Sequence, residues 1–394
     1  MANDVPPLPT PAPHPNRVEI ARYLLSRGAF LPPDLPKPAT RHRLKTVSFP
    51  DGLAPEPQPL AAPPAADDPL PAADVVVITW TADEAQGLAH VLTPGYSADQ
   101  HDSHHWYPYA KDFASYEPQI RGGAPARQAG RLGSYFLITL AGKRVLCMKS
   151  ELHLNQDGVK TGDGTATLPV KDFFKQIIEE SRPKVFLTIG TAGSVTDAFG
   201  LGDVVVTRAA RFWLGQEFRN EDFNGKVFRS DWTIPRTQTA AAEQMMLTFA
   251  DDLAQPSVAA PSPQYQHGVT IDPPGPCTPQ IRYDGDAMPE FHPILTTDWF
   301  EYGTTENRLD QYGAGVEMGD AVLGLACEEL PSSHRPHWAV VRNMSDPVIN
   351  GALPAKELHL NEQTTWAVGF YTAYGLYTSI IGALATWSIV AGLD

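Results

Sequence analysis

Two short runs of this 394-residue chain end in side chains that can move protons. Ile78-Thr-Trp-Thr-Ala-Asp-Glu84 places Glu84 just beyond the β-branched run Val75-Val-Val-Ile-Thr79. Val341-Arg-Asn-Met-Ser-Asp346 carries Arg342, Ser345 and Asp346 to the end of a second apolar run. Open α/β sheets bind ligands at the carboxyl ends of their strands, so both runs deliver their last residues to a useful edge. A carboxyl group there can protonate a leaving group or orient water, and an arginine can hold an anion beside it. A third apolar stretch, Val185-Phe-Leu-Thr-Ile, runs into Gly190-Thr191-Ala192-Gly193. Those small residues read as a strand-to-glycine turn that exposes amide donors to a ligand. Gly315-Val-Glu-Met-Gly319 adds Glu317 and Met318. Each segment also has a plain structural reading. Asp346, in Ser-Asp-Pro, suits a turn or cap, Glu84 suits the first turn of a helix, and Glu317 suits a partner for an arginine or the backbone.

The elements that must carry these residues are legible in the periodicity. Val75–Thr79, Tyr135–Leu140, Arg144–Lys149, Val185–Ile189, Asp203–Thr207 and Trp338–Arg342 read as buried strands, rich in β-branched and apolar residues without alternation. Helical spacing follows in ADEAQGLAHVL at 82–92, in Val170–Glu180, in Ala240–Leu253 and in Asp320–Leu330. Strands alternating with helices predict an α/β fold with a largely parallel sheet covered by helices. Two stretches break the alternation, about 101–131 and about 257–292, and both read as surface insertions in one domain. The uncharged run from Trp366 to Leu393 is long enough to span a bilayer. Its Thr, Ser, Gly and Tyr content and its lack of flanking Lys or Arg read better as a helix buried in a core, so no membrane partner is expected.

Composition narrows the rest. The net charge of −15 argues against a polyanion such as nucleic acid as the main partner, while leaving room for a small anionic ligand held by a few local donors. Three cysteines cannot build a disulfide framework, and their spacing fits no zinc pattern. With no secretory signal pattern at the N-terminus, a reducing, cytoplasmic setting is expected. His101, His104 and His105 form a tempting cluster, but in a polar loop without acidic partners they read as solvated; no metal or cofactor is expected. The 38 prolines are about twice the ordinary share of about 5%, and nearly half lie before Asp74. The chain therefore divides into a Pro-rich arm at 1–73, with a short helix at 18–30, and one domain at 74–394. The arm is either a disordered leader or a segment that docks on its own domain or a partner.

Taken in order, Ile78–Glu84, Ile189-Gly-Thr-Ala-Gly-Ser with Gly202-Asp-Val-Val, Val316-Glu-Met and Val341-Arg-x-x-Ser-Asp346 resemble the nucleoside phosphorylase/nucleosidase superfamily. The likeness is to its purine nucleoside phosphorylase and methylthioadenosine/S-adenosylhomocysteine nucleosidase type, and it covers about Asp74 to the C-terminus with interruptions. The resemblance implies a mixed twisted sheet flanked by helices, a homo-oligomer, and cleavage of the N-glycosidic bond of a purine, most simply adenine-containing, nucleoside or nucleotide. By resemblance, Asp346 is the acid at the purine N7, Glu84 activates water, and Arg342 and Thr191 border the nucleophile. Ala192, Gly193 and Ser345 line the substrate, Met318 packs on the ribose, Phe300 stacks on the base, and Glu317 is a further binding residue.

Two positions depart from the family pattern. Thr188 stands where many phosphorylases of this type carry a phosphate-gripping arginine, which favours water over phosphate as nucleophile. Gly319 stands where the family has the carboxylate that holds the ribose 2′- and 3′-hydroxyls. Either Glu317 or an inserted residue takes over that contact, or the sugar is modified, or ordinary nucleosides are not substrates. Three functions remain open on the sequence: a nucleosidase, a phosphorylase with its phosphate donors elsewhere, and a non-catalytic nucleoside-binding sensor.

Overall fold

The computed structural model describes residues 44–60, 62–94, 106–196, 198–253, 278–299, 301, 308–346 and 362–394. The 18–30 helix, the histidine cluster at 101–105, Phe300 and most of the 257–292 stretch lie outside them. The strands are β1 (Glu56–Pro57), β2 (Val75–Thr79), β3 (Tyr107–Tyr109), β4 (Gly133–Leu140), β5 (Lys143–Ser150), β6 (Val185–Ser194) and β7 (Val204–Thr207). They continue with β8 (Ala209–Phe212), β9 (Val227–Arg229), β10 (Ile281–Tyr283), β11 (Ile294–Thr296), β12 (Gly315–Glu317) and β13 (His337–Asp346). The longer helices are α1 (Ala82–Leu92), α2 (Pro169–Ser181), α3 (Thr239–Met246), α4 (Asp320–Glu329) and α5 (Glu362–Ala391).

All of these strands join one sheet whose main path runs β1-β4-β5-β2-β6-β12-β11-β8-β9. β13 pairs with β6 and β7, β10 with β7, and β3 with β4. The centre is parallel, with β5, β2, β6 and β13 all pointing the same way. The sheet is mixed rather than largely parallel, because β4 pairs antiparallel with β5, β12 with β6, and β13 with β7.

The apolar runs are continuous because both faces of the sheet are covered. Val76, Ile78, Phe186 and Val340 join Phe173, Phe174 and Ile177 of α2 and Val322 of α4 in one core. Their neighbours Val75, Val77, Leu187 and Val341 join Leu88 of α1, Met245 of α3 and Ile380 and Leu384 of α5 in the other. α5 is the one helix among the described residues long and apolar enough to cross a membrane. Of its Tyr374–Ala391 stretch, 89% is buried, and it packs on β13, β6 and α1, as the core reading of the uncharged run requires.

Two segments are more integrated than their composition suggests. From Trp106 onward the 101–131 stretch is tied to the domain: β3 pairs with β4, Tyr107, Tyr109 and Ile120 are buried, and the Tyr109 hydroxyl donates to Glu180 Oε2 at 2.9 Å. The end of the 257–292 stretch supplies β10, which extends the sheet beside β7. The described part of the arm docks on its own domain. Leu44, Val47, Phe49 and Leu53 pack against the α5 side, and β1 pairs with β4. Trp387 of α5, fully buried, donates its indole N–H to Leu53 O at 2.8 Å and meets Phe49 at 5.7 Å between ring centroids.

Replacing Trp387 by Ala is expected to cost about 3–5 kcal/mol through the lost ring and the cavity left behind. Trp387→Phe, which drops mainly the hydrogen bond, should cost about 1 kcal/mol or somewhat more. Urea denaturation measures both, and limited proteolysis should show faster cutting within 44–57 in the alanine variant.

Candidate active site

The site assembles at the carboxyl ends of β5, β2, β6 and β13, in a cavity of about 930 Å³ with its open mouth included. Glu84, Thr191, Ala192, Gly193, Glu317, Met318, Arg342, Ser345 and Asp346, all singled out from sequence, line it together.

Glu84 is placed by the start of α1. Thr81 is the N-cap and Glu84 the third helical residue, a reciprocal capping box. Its Oε2 accepts from Thr81 N at 2.9 Å, Trp80 N at 3.1 Å and Thr79 Oγ1 at 2.8 Å. Its Oε1 accepts from Thr191 N at 2.8 Å and Thr191 Oγ1 at 2.9 Å. Burial by itself would raise the carboxyl pKa, but the Arg342 charge and the hydrogen bonds from Thr191, Thr81 and Thr79 outweigh it and hold Glu84 below the ordinary glutamate value. The first-turn reading holds, and the same residue, a partner in the capping box of α1, is an ionised carboxylate in the cavity wall.

The glycine segment does not turn. β6 runs on to Ser194, because β13 pairs with it on one side and β12 takes up its end, Val316 opposite Gly193 and Gly315 opposite Ser194. The glycines serve close approach instead. A Cβ on Gly190 would sit 2.7 Å from Glu84 Oε1 and also press on Arg342 Nη1; one on Gly193 would meet Asp346 Oδ2 at 2.6 Å.

Arg342 is 3% exposed and stands at the middle of the site. Its Nε and Nη2 bind Asp320 Oδ2 and Oδ1 at 2.7 and 2.5 Å, a bidentate pair, and Nη1 donates to Thr191 O at 3.2 Å. Nη2 also lies 3.2 Å from Glu317 Oε2, and the guanidinium carbon is 4.8 Å from the Trp80 ring centroid. Burial disfavours its charge, but Asp320 and Glu317 more than compensate and push its pKa above the ordinary value. Glu317 goes the other way: burial and the Asp320 charge lift it to about 8 against the pull of Arg342. Its Oε1 accepts from Thr296 Oγ1 and from Asp320 N, the latter at 2.9 Å. The adjacent carboxylate at 320 thus braces Arg342 and does not line the cavity.

Asp346 reaches the cavity through an irregularity. β13 alternates faces regularly as far as Met344, then shifts register between Met344 and Asp346. Such bulges re-aim side chains, and both Ser345 and Asp346 line the cavity. Asp346 Oδ1 accepts from Ser345 Oγ at 2.7 Å. Burial raises its pKa to about 7, opposed only by that hydrogen bond.

Trp80, His153, Asn155, Trp299 and Tyr371 also line the cavity and were not singled out as ligand residues. His153 and Asn155 follow β5, whose place beside β2 was the available signal; burial holds the His153 imidazole near a pKa of about 4, hence neutral. Thr188 does not line the cavity; it is fully buried in β6 between β2 and β13. Among the described residues no group of His, Cys, Asp and Glu is arranged to hold a metal ion.

The fold is a mixed α/β sheet flanked by helices, with a cavity lined by Glu84, Glu317 and Asp346 at its carboxyl edge. No protein-family model matches the sequence, and no curated protein matches it. Among solved structures the chain is similar to the 5′-methylthioadenosine/S-adenosylhomocysteine nucleosidase of Neisseria meningitidis in complex with methylthio-immucillin-A, at 13% identity and TM-score 0.40, over 81% of this chain and 99% of that one. It is similar to a putative nucleosidase of the same kind from Francisella philomiragia, at 12% identity and TM-score 0.43, over 81% and 99%. It is also similar to futalosine hydrolase of Helicobacter pylori, at 10% identity and TM-score 0.40, over 81% and 97%.

Removing one partner of a buried ion pair strands the other charge. Asp320→Asn is therefore expected to lower the unfolding free energy by about 3–5 kcal/mol, read by urea denaturation. A loss below about 1 kcal/mol, the range of exposed pairs, would mean that Glu317 alone suffices to hold Arg342.

Proposed function

We propose that the protein is an N-ribosyl hydrolase that cleaves the N-glycosidic bond of a purine nucleoside or nucleotide, adenine being the simplest base. The observation that carries this reading is the split protonation of two carboxyls in one cavity: Asp346 raised to about 7, Glu84 lowered. Environments that push two titratable groups apart are how a site assigns its acid and its base. The ordered motif resemblance supports the same assignment.

In this mechanism a water molecule lies against Glu84, with Thr191 and Arg342 beside it. Its oxygen bonds to the anomeric carbon as the bond from that carbon to the purine nitrogen breaks. The bonding pair leaves with the purine, and Asp346 donates its proton to N7 so that the base departs neutral. The proton lost by the water passes to Glu84. The transition state carries positive charge on the sugar, and ionised Glu84 stabilises it without reorganising, being held by fixed donors.

Free base should be released from adenosine or its nucleotides without phosphate, measured by chromatography of the products; strict phosphate dependence would replace the hydrolase by a phosphorylase. Asp346→Asn should lower kcat by about 10²–10⁴. A substitution with near-wild-type turnover removes Asp346 from the mechanism. A fold control follows from linkage: a raised acid costs stability as pH climbs from the unfolded value toward about 7. Asp346→Asn should therefore melt above wild type at pH 8 and with it at pH 4.

The pH profile has a defined sign. Activity needs Asp346 protonated, so kcat/KM should fall about tenfold per pH unit above about 7. It needs Glu84 ionised, so the acid limb should lie below the ordinary glutamate range. A profile that rises through pH 8 contradicts the assignment.

A binding-only reading has one specific observation in its favour: all five donors on Glu84 come from the protein itself. Nucleosides that raise the melting temperature while no base is released would establish it.

A further inference from the structure

Trp80, Asn155 and Glu317 line the cavity and are only 5%, 6% and 6% exposed. Among the described residues each keeps one polar atom without a hydrogen-bond partner: Nε1 of Trp80, Oδ1 of Asn155 and Oε2 of Glu317. The three stand around one short segment, Glu317-Met318-Gly319. Trp80 lays the edge that carries Nε1 on Gly319, where a Cβ would meet Cζ2 at 3.1 Å and Cε2 at 3.3 Å. Asn155 Nδ2 contacts Met318 Sδ at 2.9 Å. Glu317 Oε2 lies 3.2 Å from Arg342 Nη2 without a hydrogen bond between them, and the Arg342 guanidinium carbon is 4.8 Å from the Trp80 ring centroid.

A buried polar atom without a partner forfeits the hydrogen bonds it made to water, so folded proteins leave few of them. One is an ordinary exception. Three in one corner of a cavity, brought there from beyond β2, from beyond β5 and from the end of β12, call for a common guest. The set is mixed: the indole N–H gives, the amide oxygen takes, and the carboxyl Oε2 does either according to its proton. A phosphate would leave Asn155 Oδ1 facing another acceptor, and an ammonium would leave the indole N–H facing another donor. A hydroxyl both gives and takes, and two adjacent hydroxyls can serve all three atoms. The indole is held still, its backbone N–H tied to Glu84 and Phe174 meeting the ring edge-on at 6.4 Å. Asn155 is free to follow a guest, because its amide nitrogen rests on a thioether, a weak acceptor.

The corner lies where sugar hydroxyls arrive. Arg342 borders both the corner and the water beside Glu84, and that water attacks the anomeric carbon opposite the departing base. In a β-ribonucleoside the 2′- and 3′-hydroxyls lie on that same face. We infer that Trp80 and Asn155, together with Glu317, are specificity-determining residues that hold the free vicinal diol of a ribonucleoside: the indole N–H donates to one hydroxyl oxygen, Asn155 Oδ1 accepts from a hydroxyl, and Glu317 Oε2 completes the set. The inference rests on the nucleosidase reading of the same cavity and adds which sugar the cavity takes and which side chains read it.

Ground-state affinity is the readout, because deoxynucleosides also differ in bond lability. In the Asp346→Asn background, which suppresses turnover, isothermal titration calorimetry compares adenosine with 2′,3′-dideoxyadenosine. Adenosine should bind about tenfold or more tightly. Two further substitutions in that background read the side chains: Trp80→Phe removes the N–H and keeps an aromatic ring, and Asn155→Leu removes the amide at similar size. Each should weaken adenosine by about fivefold or more while leaving the dideoxy compound within about twofold. A merely structural role would weaken both ligands alike, and that result overturns the inference. An adenosine preference below about threefold before either substitution also overturns it, since a trapped water and not a diol would then serve the three atoms. Base release from adenosine by the wild type would leave the nucleosidase reading standing in both cases. Binding of neither nucleoside, with base release absent in the wild type, defeats that reading and this inference with it.

Discussion

A guanidinium buried in the middle of a sheet has to be neutralised where it stands, and most of the site follows from how this is done for Arg342. Asp320 supplies the bidentate partner from the first turn of α4, so the end of β12 and the start of that helix are fixed relative to β13. Thr191 O takes a further donor, which ties β6 to the same group. Glu84 feels the charge across Gly190 and stays ionised. Four segments distant in sequence are thereby set around one cation. The acidic chain as a whole does not contradict an anionic or electron-rich ligand, because the charge that matters is local.

The same arrangement separates the acids. Glu84 is near the cation and rich in donors, while Asp346 has burial and one serine hydroxyl. Glu317 shares Arg342 with Asp320, and two carboxylates on one arginine cannot both ionise freely. The cavity therefore holds carboxyl groups of different protonation at one pH, a property of positions along three strands and one helix cap rather than of residue type. The β-bulge at Ser345 is part of this, since it brings consecutive side chains to one cavity.

Much of the fold was legible because its central strands carry cores on both faces. Val75–Thr79 and Val185–Ile189 read as buried strands without any knowledge of their partners, and the helical spacing at 82–92 marked α1, with Glu84 in its first turn. The antiparallel members were not legible, since pairing direction leaves no mark on a continuous apolar run. β12 at the end of β6 is the clearest instance: it turned an expected glycine turn into a strand extension. Tyr107, Tyr109 and Ile120 show the complementary failure. A polar, aromatic composition read as surface, while the apolar parts of those side chains were buried against β4 and α2.

The sequence by itself determined which residues could do chemistry and the order in which strands would present them: Glu84, Thr191, Glu317, Arg342 and Asp346 needed only their places at strand ends. It also determined that position 319 carries no carboxylate. The tertiary structure decided what fills that place, because the distance between Trp80 and Gly319 depends on β2 and β12 pairing one after the other with the same edge of β6. It also decided which carboxyl holds a proton, since burial and the Arg342 field exist only once the strands are side by side.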